Sequence, residues 1–268
     1  AADPFGPLLT LRRHTSGTPV FCFHPAGGLG WSYAGLLPRL ERDRGVYALQ
    51  SPGLTRPEQR PGSLSEAAER AADAVQEVLA QAVGSASGAA GSDDGEQEAD
   101  LVGWSVGGVL AQAVGVLLER RGVRTRRLVL MDAYPAELWQ DRAAPTEKER
   151  LEGLLIMAGV DAPEDLDLTQ QGVVSAIRET GSPFASLPEP VLHGVTEMVG
   201  HNARLMREHT TEVFGGRAQM FAAALNPEPL EPEAWQPHLG TLEVTALECT
   251  HPGMVSPDSL DQIAAALR

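Results

Sequence analysis

The chain has 268 residues, 36 of them acidic and 21 basic, for a formal charge of −15 at pH 7. That length suits one large α/β domain with an insertion, or two small domains. So acidic a balance argues against a nucleic acid partner, because phosphate binding needs clustered Lys and Arg. No stretch approaches the roughly 18 consecutive apolar residues of a membrane span, whereas 43% apolar content is enough to bury a full core.

The N-terminus, AADPFGPLLTLRRH, has neither a starting Met nor the apolar centre of a signal peptide, and reads as a segment cut from a longer chain. Thr18–Phe23 is a short β-branched and aromatic run, expected to be a buried strand. It leads into the Gly-rich HPAGGLG, after which Trp31–Leu40 reads as helical. Val46–Leu49 is a second strand. Ser63 and Glu66 have capping-box spacing, and Ala67, Ala71, Ala74, Val75, Val78 and Leu79 follow at helical intervals. From Gly84 to Glu98 the residues are small and acidic, with little to bury, and predict a flexible surface loop.

Leu101–Val102 predicts a strand, Gly107–Arg121 a helix stopped at Gly122, and Leu128–Met131 a strand ending at Asp132. Strands alternating with helices imply a mostly parallel, twisted sheet with helices on both faces. Between Ala136 and Gly216 the alternation lapses. That stretch predicts helices at Glu147–Ala158, Gln170–Thr180 and Glu189–His209, with a capping box at Thr146 and Glu149. The expected organisation is therefore a core formed by residues 1–135 and 217–268, with residues 136–216 as an inserted helical subdomain. Strands resume at Ala218–Ala223 and Glu243–Leu247, and Ser256–Pro257 opens a last helix. Cys22 and Cys249 fall in strand-like apolar runs, so buried thiols are expected rather than a disulfide or metal ligands, and a cytoplasmic setting follows.

Gly103-Trp104-Ser105-Val106-Gly107 stands where a strand meets a helix. This is the context of a nucleophile elbow in an α/β-hydrolase fold, with a helical lid insertion placed as above. The turn is tight enough that side chains two residues either side of the serine would strike its neighbours, hence glycine at both. A serine hydroxyl needs a base, and the base an acid to orient it. In this fold the chain order is Ser, then Asp or Glu, then His. His251 follows the strand Glu243–Leu247 at the edge where the elbow lies, whereas His238 precedes that strand. Asp132 ends an apolar strand at the same edge and is preferred over Asp161, Asp165 and Asp167 in the insertion. Expected oxyanion donors are the Val106 amide, in the first turn of the helix, and the Ala26 amide, in the loop after the first strand. Met198, Leu205 and Met206 are candidates for the wall of a substrate chamber. The competing reading of their stripe, as packing on the core or on other helices, carries more weight.

Two rival chemistries fail on the residues. Gly28-Leu29-Gly30 lacks the third glycine of a dinucleotide-binding turn, and the following strand ends in Gln50, not an acid. No cofactor is expected in this chain. His193, His201 and His209 are spaced by eight, too far along one helix to share a metal ion.

The ordered set FCFHPAGG, ALQSPG, GWSVGG, LVLMDAYP and THPGM resembles the terminal thioesterase domain of nonribosomal peptide synthetases, over nearly the whole chain. It is similar in kind to depsipeptide-releasing members. The resemblance implies that Ser105 takes a peptidyl or depsipeptidyl chain from the phosphopantetheine thioester of an upstream carrier domain. His251 would serve as base and acid, Asp132 as its partner, and residues 136–216 as a lid. Macrocyclisation is expected slightly ahead of hydrolysis. The alternatives are a free-standing esterase or lipase on the same scaffold, and a binding module in which Ser105 is a relic.

Overall fold

A computed structural model describes residues 3–86, 97–160 and 166–268. The apolar runs become the strands of one sheet: β1 (Leu8–Arg12), β2 (Val20–Phe23), β3 (Val46–Leu49), β4 (Glu98–Trp104), β5 (Arg124–Met131), β6 (Phe214–Ala223) and β7 (Leu239–Leu247). Their spatial order is β1-β3-β2-β4-β5-β6-β7. β1 runs antiparallel to β3, and the other neighbours pair in parallel.

β2 and β3 are buried at every residue, as parallel strands covered on both faces must be. Alternation along β2 sends Phe21 and Phe23 to one face and Val20 and Cys22 to the other. The first face packs on α1 (Leu64–Ala86) and α2 (Val106–Arg120), through residues such as Ala72, Val75, Val109 and Val114. The second packs on the 3-10 turn Trp31–Arg39 and on α6 (Pro257–Ala265), through Tyr33, Leu36, Leu260 and Ile263. An α-helix was expected at Trp31–Leu40. Pro38, which has no N–H to donate, lies inside that stretch, and the tighter turn forms instead.

Between β5 and β6 lie α3 (Glu147–Ala158), α4 (Gln170–Arg178) and α5 (Glu189–Glu208). They build a third apolar cluster from Leu151, Leu154, Val173, Ile177, Leu192 and Val195, which also takes in Leu29 and Leu54 from the loops beneath. Thr146 and Glu149 form the reciprocal capping box of α3, with Glu149 N donating to Thr146 Oγ1 at 3.2 Å and Thr146 N to Glu149 Oε2 at 2.6 Å. At α1 the box is shifted: Ser63 Oγ accepts from Glu66 N, but the Glu66 carboxylate reaches back to Gly62 N. Most of the stretch Gly84–Glu98, expected to be a loop, lies outside the described residues, as do Asp161 and Asp165. Among the described residues no helix is long and apolar enough to cross a membrane.

β2 has β3 on one side and β4 on the other, so the chain changes direction across the sheet between β2 and β4. Loops leaving the carboxyl ends of two such strands diverge and leave a crevice there. The Gly-rich segment after β2 and the residue after β4 both open onto it.

Candidate active site

Ser105 is the single residue between β4 and α2, held at φ 59° and ψ −131°. A side chain in that region is strained, typically by about 1–3 kcal/mol, and persists only where its surroundings dictate it. The glycines are part of those surroundings. A Cβ at Gly103 would collide with the Gly107 carbonyl, and one at Gly107 with the carbonyl oxygens of Phe23 and His24. Ser105 N still donates to Met131 O at 3.1 Å, extending the ladder with β5. Trp104 N donates to the Tyr33 hydroxyl at 2.8 Å, and that hydroxyl donates to Phe23 O at 2.6 Å, which ties the elbow to the end of β2.

Among the described residues only one other non-glycine has a positive φ: Asp132, at 42°. It follows β5 directly and is 3% exposed. Its Oδ1 accepts from the Ala223 amide and the Tyr134 hydroxyl, both at 3.1 Å. Its Oδ2 accepts from Asn226 Nδ2 at 2.9 Å and lies 2.6 Å from His251 Nδ1. Burial alone would push this carboxyl's pKa up, but the bonds from His251, Ala223 and Asn226 outweigh it and hold the pKa below its ordinary value. An ionised carboxylate only accepts, so His251 Nδ1 carries a hydrogen and Nε2 is left as the basic nitrogen. Asn226 also accepts from the His251 backbone amide at 2.7 Å, and the Trp104 ring lies 5.4 Å from the imidazole.

Ser105, Asp132, His251, Ala26 and Val106 all line one cavity of about 660 Å³, within the usual range for small-molecule sites. Among the described residues no hydrogen bond joins the Ser105 hydroxyl to His251. The two meet as walls of the same chamber, and catalytic contacts in unliganded sites are often longer than in the complex. The far wall is largely apolar, with Trp139, Ala143, Val199, Ala203 and Leu230. Met206 of α5 also faces this chamber. Met198 is wholly buried in the helical cluster against Gly28, and Leu205 is buried in the main core; neither lines the chamber. Asp167 takes a hydrogen bond from Thr169 in the turn before α4. His238 sits near the Glu137 carboxylate, 3.5 Å away. Asn226 and Tyr134 were not singled out from sequence. Their signals were an Asn-Pro turn just past a strand and a phenol two residues from the acid.

The chain matches the model of the "Alpha/beta hydrolase family" over residues 20–266. A dimodular nonribosomal peptide synthase of Bacillus subtilis (strain 168) is 32% identical over 97% of this chain, which spans 11% of that protein. The solved NocB thioesterase domain, in covalent complex with a fluorophosphonate nocardicin G analogue, superposes with a TM-score of 0.67 at 21% identity, covering 98% of each chain. The Vlm2 thioesterase domain bound with a dodecadepsipeptide gives 0.65 at 18% identity, covering 98% of this chain and 97% of the other. At these identities the two structures speak to the fold alone.

Proposed function

The chain belongs to the alpha/beta hydrolase family, and from that premise we propose that it is a serine thioesterase that releases a peptidyl or depsipeptidyl chain from a carrier domain. The observation that carries the reading is the His251–Asp132 pair, bonded at 2.6 Å and walling one chamber with the strained Ser105. The chain spans only 11% of the dimodular synthase it resembles, which supports an upstream carrier domain as partner. Residues 136–216, apart from Phe214–Gly216 at the start of β6, act as the lid on a core of residues 1–135 and 217–268, because α5 supplies part of the chamber wall.

In the first half-reaction His251 Nε2 takes the Ser105 hydroxyl proton as the oxygen attacks the thioester carbonyl. The amides of Ala26 and Val106 hold the resulting oxyanion. Collapse breaks the carbon–sulfur bond, the imidazolium returns its proton to the phosphopantetheine thiolate, and an ester on Ser105 remains. In the second half the same base deprotonates an incoming nucleophile, and Ser105 leaves with that proton. Water gives a free acid, and the chain's own hydroxyl or amine gives a macrocycle. A mostly apolar wall favours an acyl chain folded back on itself, where effective concentration competes with water. Macrocyclising release is therefore the reading preferred. No cofactor of its own is required, since the phosphopantetheine arm arrives with the carrier.

The test is intact-mass spectrometry after exposure to a carrier-linked peptidyl thioester, alongside Ser105→Ala. A mass gain equal to the acyl chain in the parent and none in the variant is expected. Acylation surviving in Ser105→Ala overturns the reading. The released product is expected to weigh one water less than the free acid; free acid alone defeats cyclisation while leaving the thioesterase in place.

A further inference from the structure

The loop carrying the Ala26 amide is pinned by side chains that take no part in the reaction scheme. The Pro25 carbonyl oxygen accepts from Gly28 N at 2.9 Å and lies 2.9 Å from His24 Nδ1. A carbonyl only accepts, so Nδ1 bears the hydrogen. His24 is buried, and burial pushes its pKa down to about 4, so near neutral pH the ring has a single N–H and gives it to Pro25. In a trans peptide the N–H points opposite the carbonyl. Fixing the Pro25 oxygen therefore turns the Ala26 N–H away from His24, and Ala26 itself lines the chamber of Ser105.

The next carbonyl is held from another element. Ala26 O accepts from Asn202 Nδ2 at 2.7 Å. Asn202 lies in the second turn from the end of α5 and is 4% exposed. A buried asparagine in a helix interior is a poor helix former and is costly without a partner. The partner it finds is a loop carbonyl 176 residues away in sequence. The insertion also lies close over this loop: a Cβ at Gly27 would strike Met157 of α3 and come within 3.0 Å of Val195 of α5, and one at Gly28 would lie 3.4 Å from Met198.

We propose that Asn202 is a positioning residue through which α5 anchors the carbonyl side of Ala26, so that the Ala26 N–H is held from both sides, and the oxyanion site is fully set, when this helix of the insertion is docked on the loop after β2. The inference rests on the reading that Ala26 is an oxyanion donor. It couples the insertion to chemistry: a displaced α5 leaves Ser105, Asp132 and His251 in place and frees the carbonyl side of Ala26, so that its N–H is held only from the Pro25 side.

The test compares Asn202→Leu, which keeps the bulk and loses the donor, with Asn202→Gln, which keeps an amide. Single-turnover acylation is read with a short apolar acyl thioester of N-acetylcysteamine, together with phosphonylation by a fluorophosphonate. Misplacing one preorganised donor should slow both reactions of Asn202→Leu by roughly 10- to 100-fold. The loss should fall on kcat with KM within about twofold, and Asn202→Gln should recover part of it; these are effects a packing role alone would not give. Parental rates in Asn202→Leu, or a loss confined to KM, overturn the proposal. If that variant does not fold, Asn202→Ser, too short to reach the carbonyl, is read by the same criteria. Ser105→Ala run in parallel separates the two failures. Acylation retained there defeats the thioesterase reading, whereas acylation lost there but unchanged in the Asn202 variants defeats only the role of Asn202.

Discussion

Asp132 accepts four hydrogen bonds, two on each carboxylate oxygen, and is nearly inaccessible to water. Each donor does a different job: His251 is the group to be oriented, Ala223 ties the acid to the end of β6, and Asn226 braces both acid and base. Asn226 gives Nδ2–H to the carboxylate and takes N–H from the His251 backbone, so its loss loosens the pair from two sides. The sign of the pH effect follows from the lowered pKa of Asp132. A depressed carboxylate pKa contributes stability above the unfolded value of about 4, and that contribution fades as pH falls through the folded value. Asn226→Ala should therefore cost on the order of 1–3 kcal/mol at pH 7, and the gap to the parent should narrow as pH falls from about 4 through the lower folded value, beneath which the acceptor is no longer ionised. Chemical denaturation from pH 3 to pH 7 reads it. A gap that stays constant or widens on acidification would show that Asn226 acts on something other than the carboxylate.

Glycine at three positions of the elbow lets an element boundary be as short as one residue. The Gly107 position illustrates the energetics, because both oxygens a Cβ would meet, Phe23 O and His24 O, belong to backbone at the carboxyl end of β2 and cannot swing aside as a side chain tip would. Gly107→Ala should destabilise the protein by about 3 kcal/mol, at the upper end of overpacking costs, and displace the loop bearing Ala26 as it does so. A thermal midpoint within a degree of the parent would contradict that packing. The elbow was legible in the sequence because its sterics demand one residue type at fixed spacing. β2 and β3 were legible because strands buried on both faces are written as unbroken apolar runs. Other boundaries were hidden by charge and exposure. β5 was expected to begin at Leu128 and begins at Arg124, because Arg126 pairs with the buried Asp100 of β4, a partner that no local pattern reveals. β7 starts at Leu239 rather than Glu243, its early residues being largely exposed on the sheet's edge. β1 was not anticipated, since it is only half-buried and pairs antiparallel at the opposite edge. Ser105, Asp132 and His251 were expected from the glycine pattern, the chain order and the strand ends, whereas Asn202 and Asn226 make contacts 176 and 94 residues distant.

Across the whole sheet, the groups proposed for chemistry gather at one end of the strands and a charged lock lies towards the other. Ser105 and Asp132 follow directly on the carboxyl ends of β4 and β5, and His251 comes after the end of β7. Asp100, the third residue of β4 and 0% exposed, is bracketed by Arg44 and Arg126. Arg126 Nε donates to its Oδ1 at 3.0 Å, and Arg44 also reaches the carbonyl of Thr18 just before β2, at 2.8 Å, and that of Leu267 near the chain's end. Four residues of β4, Leu101 to Trp104, stand between Asp100 and Ser105, so loss of the cluster should be felt as stability and not as rate. Asp100→Ala leaves the buried Arg44 guanidinium with only the half-exposed Glu41 carboxylate, 3.6 Å away, as counter-charge, and removing the buried partner of such a pair typically costs about 3–5 kcal/mol. Below its own melting transition the variant should still acylate Ser105 within twofold of the parental kcat/KM. Denaturant titration and single-turnover acylation on the same preparation check both halves. A variant of parental stability would show that water or movement of Arg44 screens the stranded charge. A stable variant with slowed acylation would mean instead that the two ends of the sheet communicate through β4, and the separation argued here would fail.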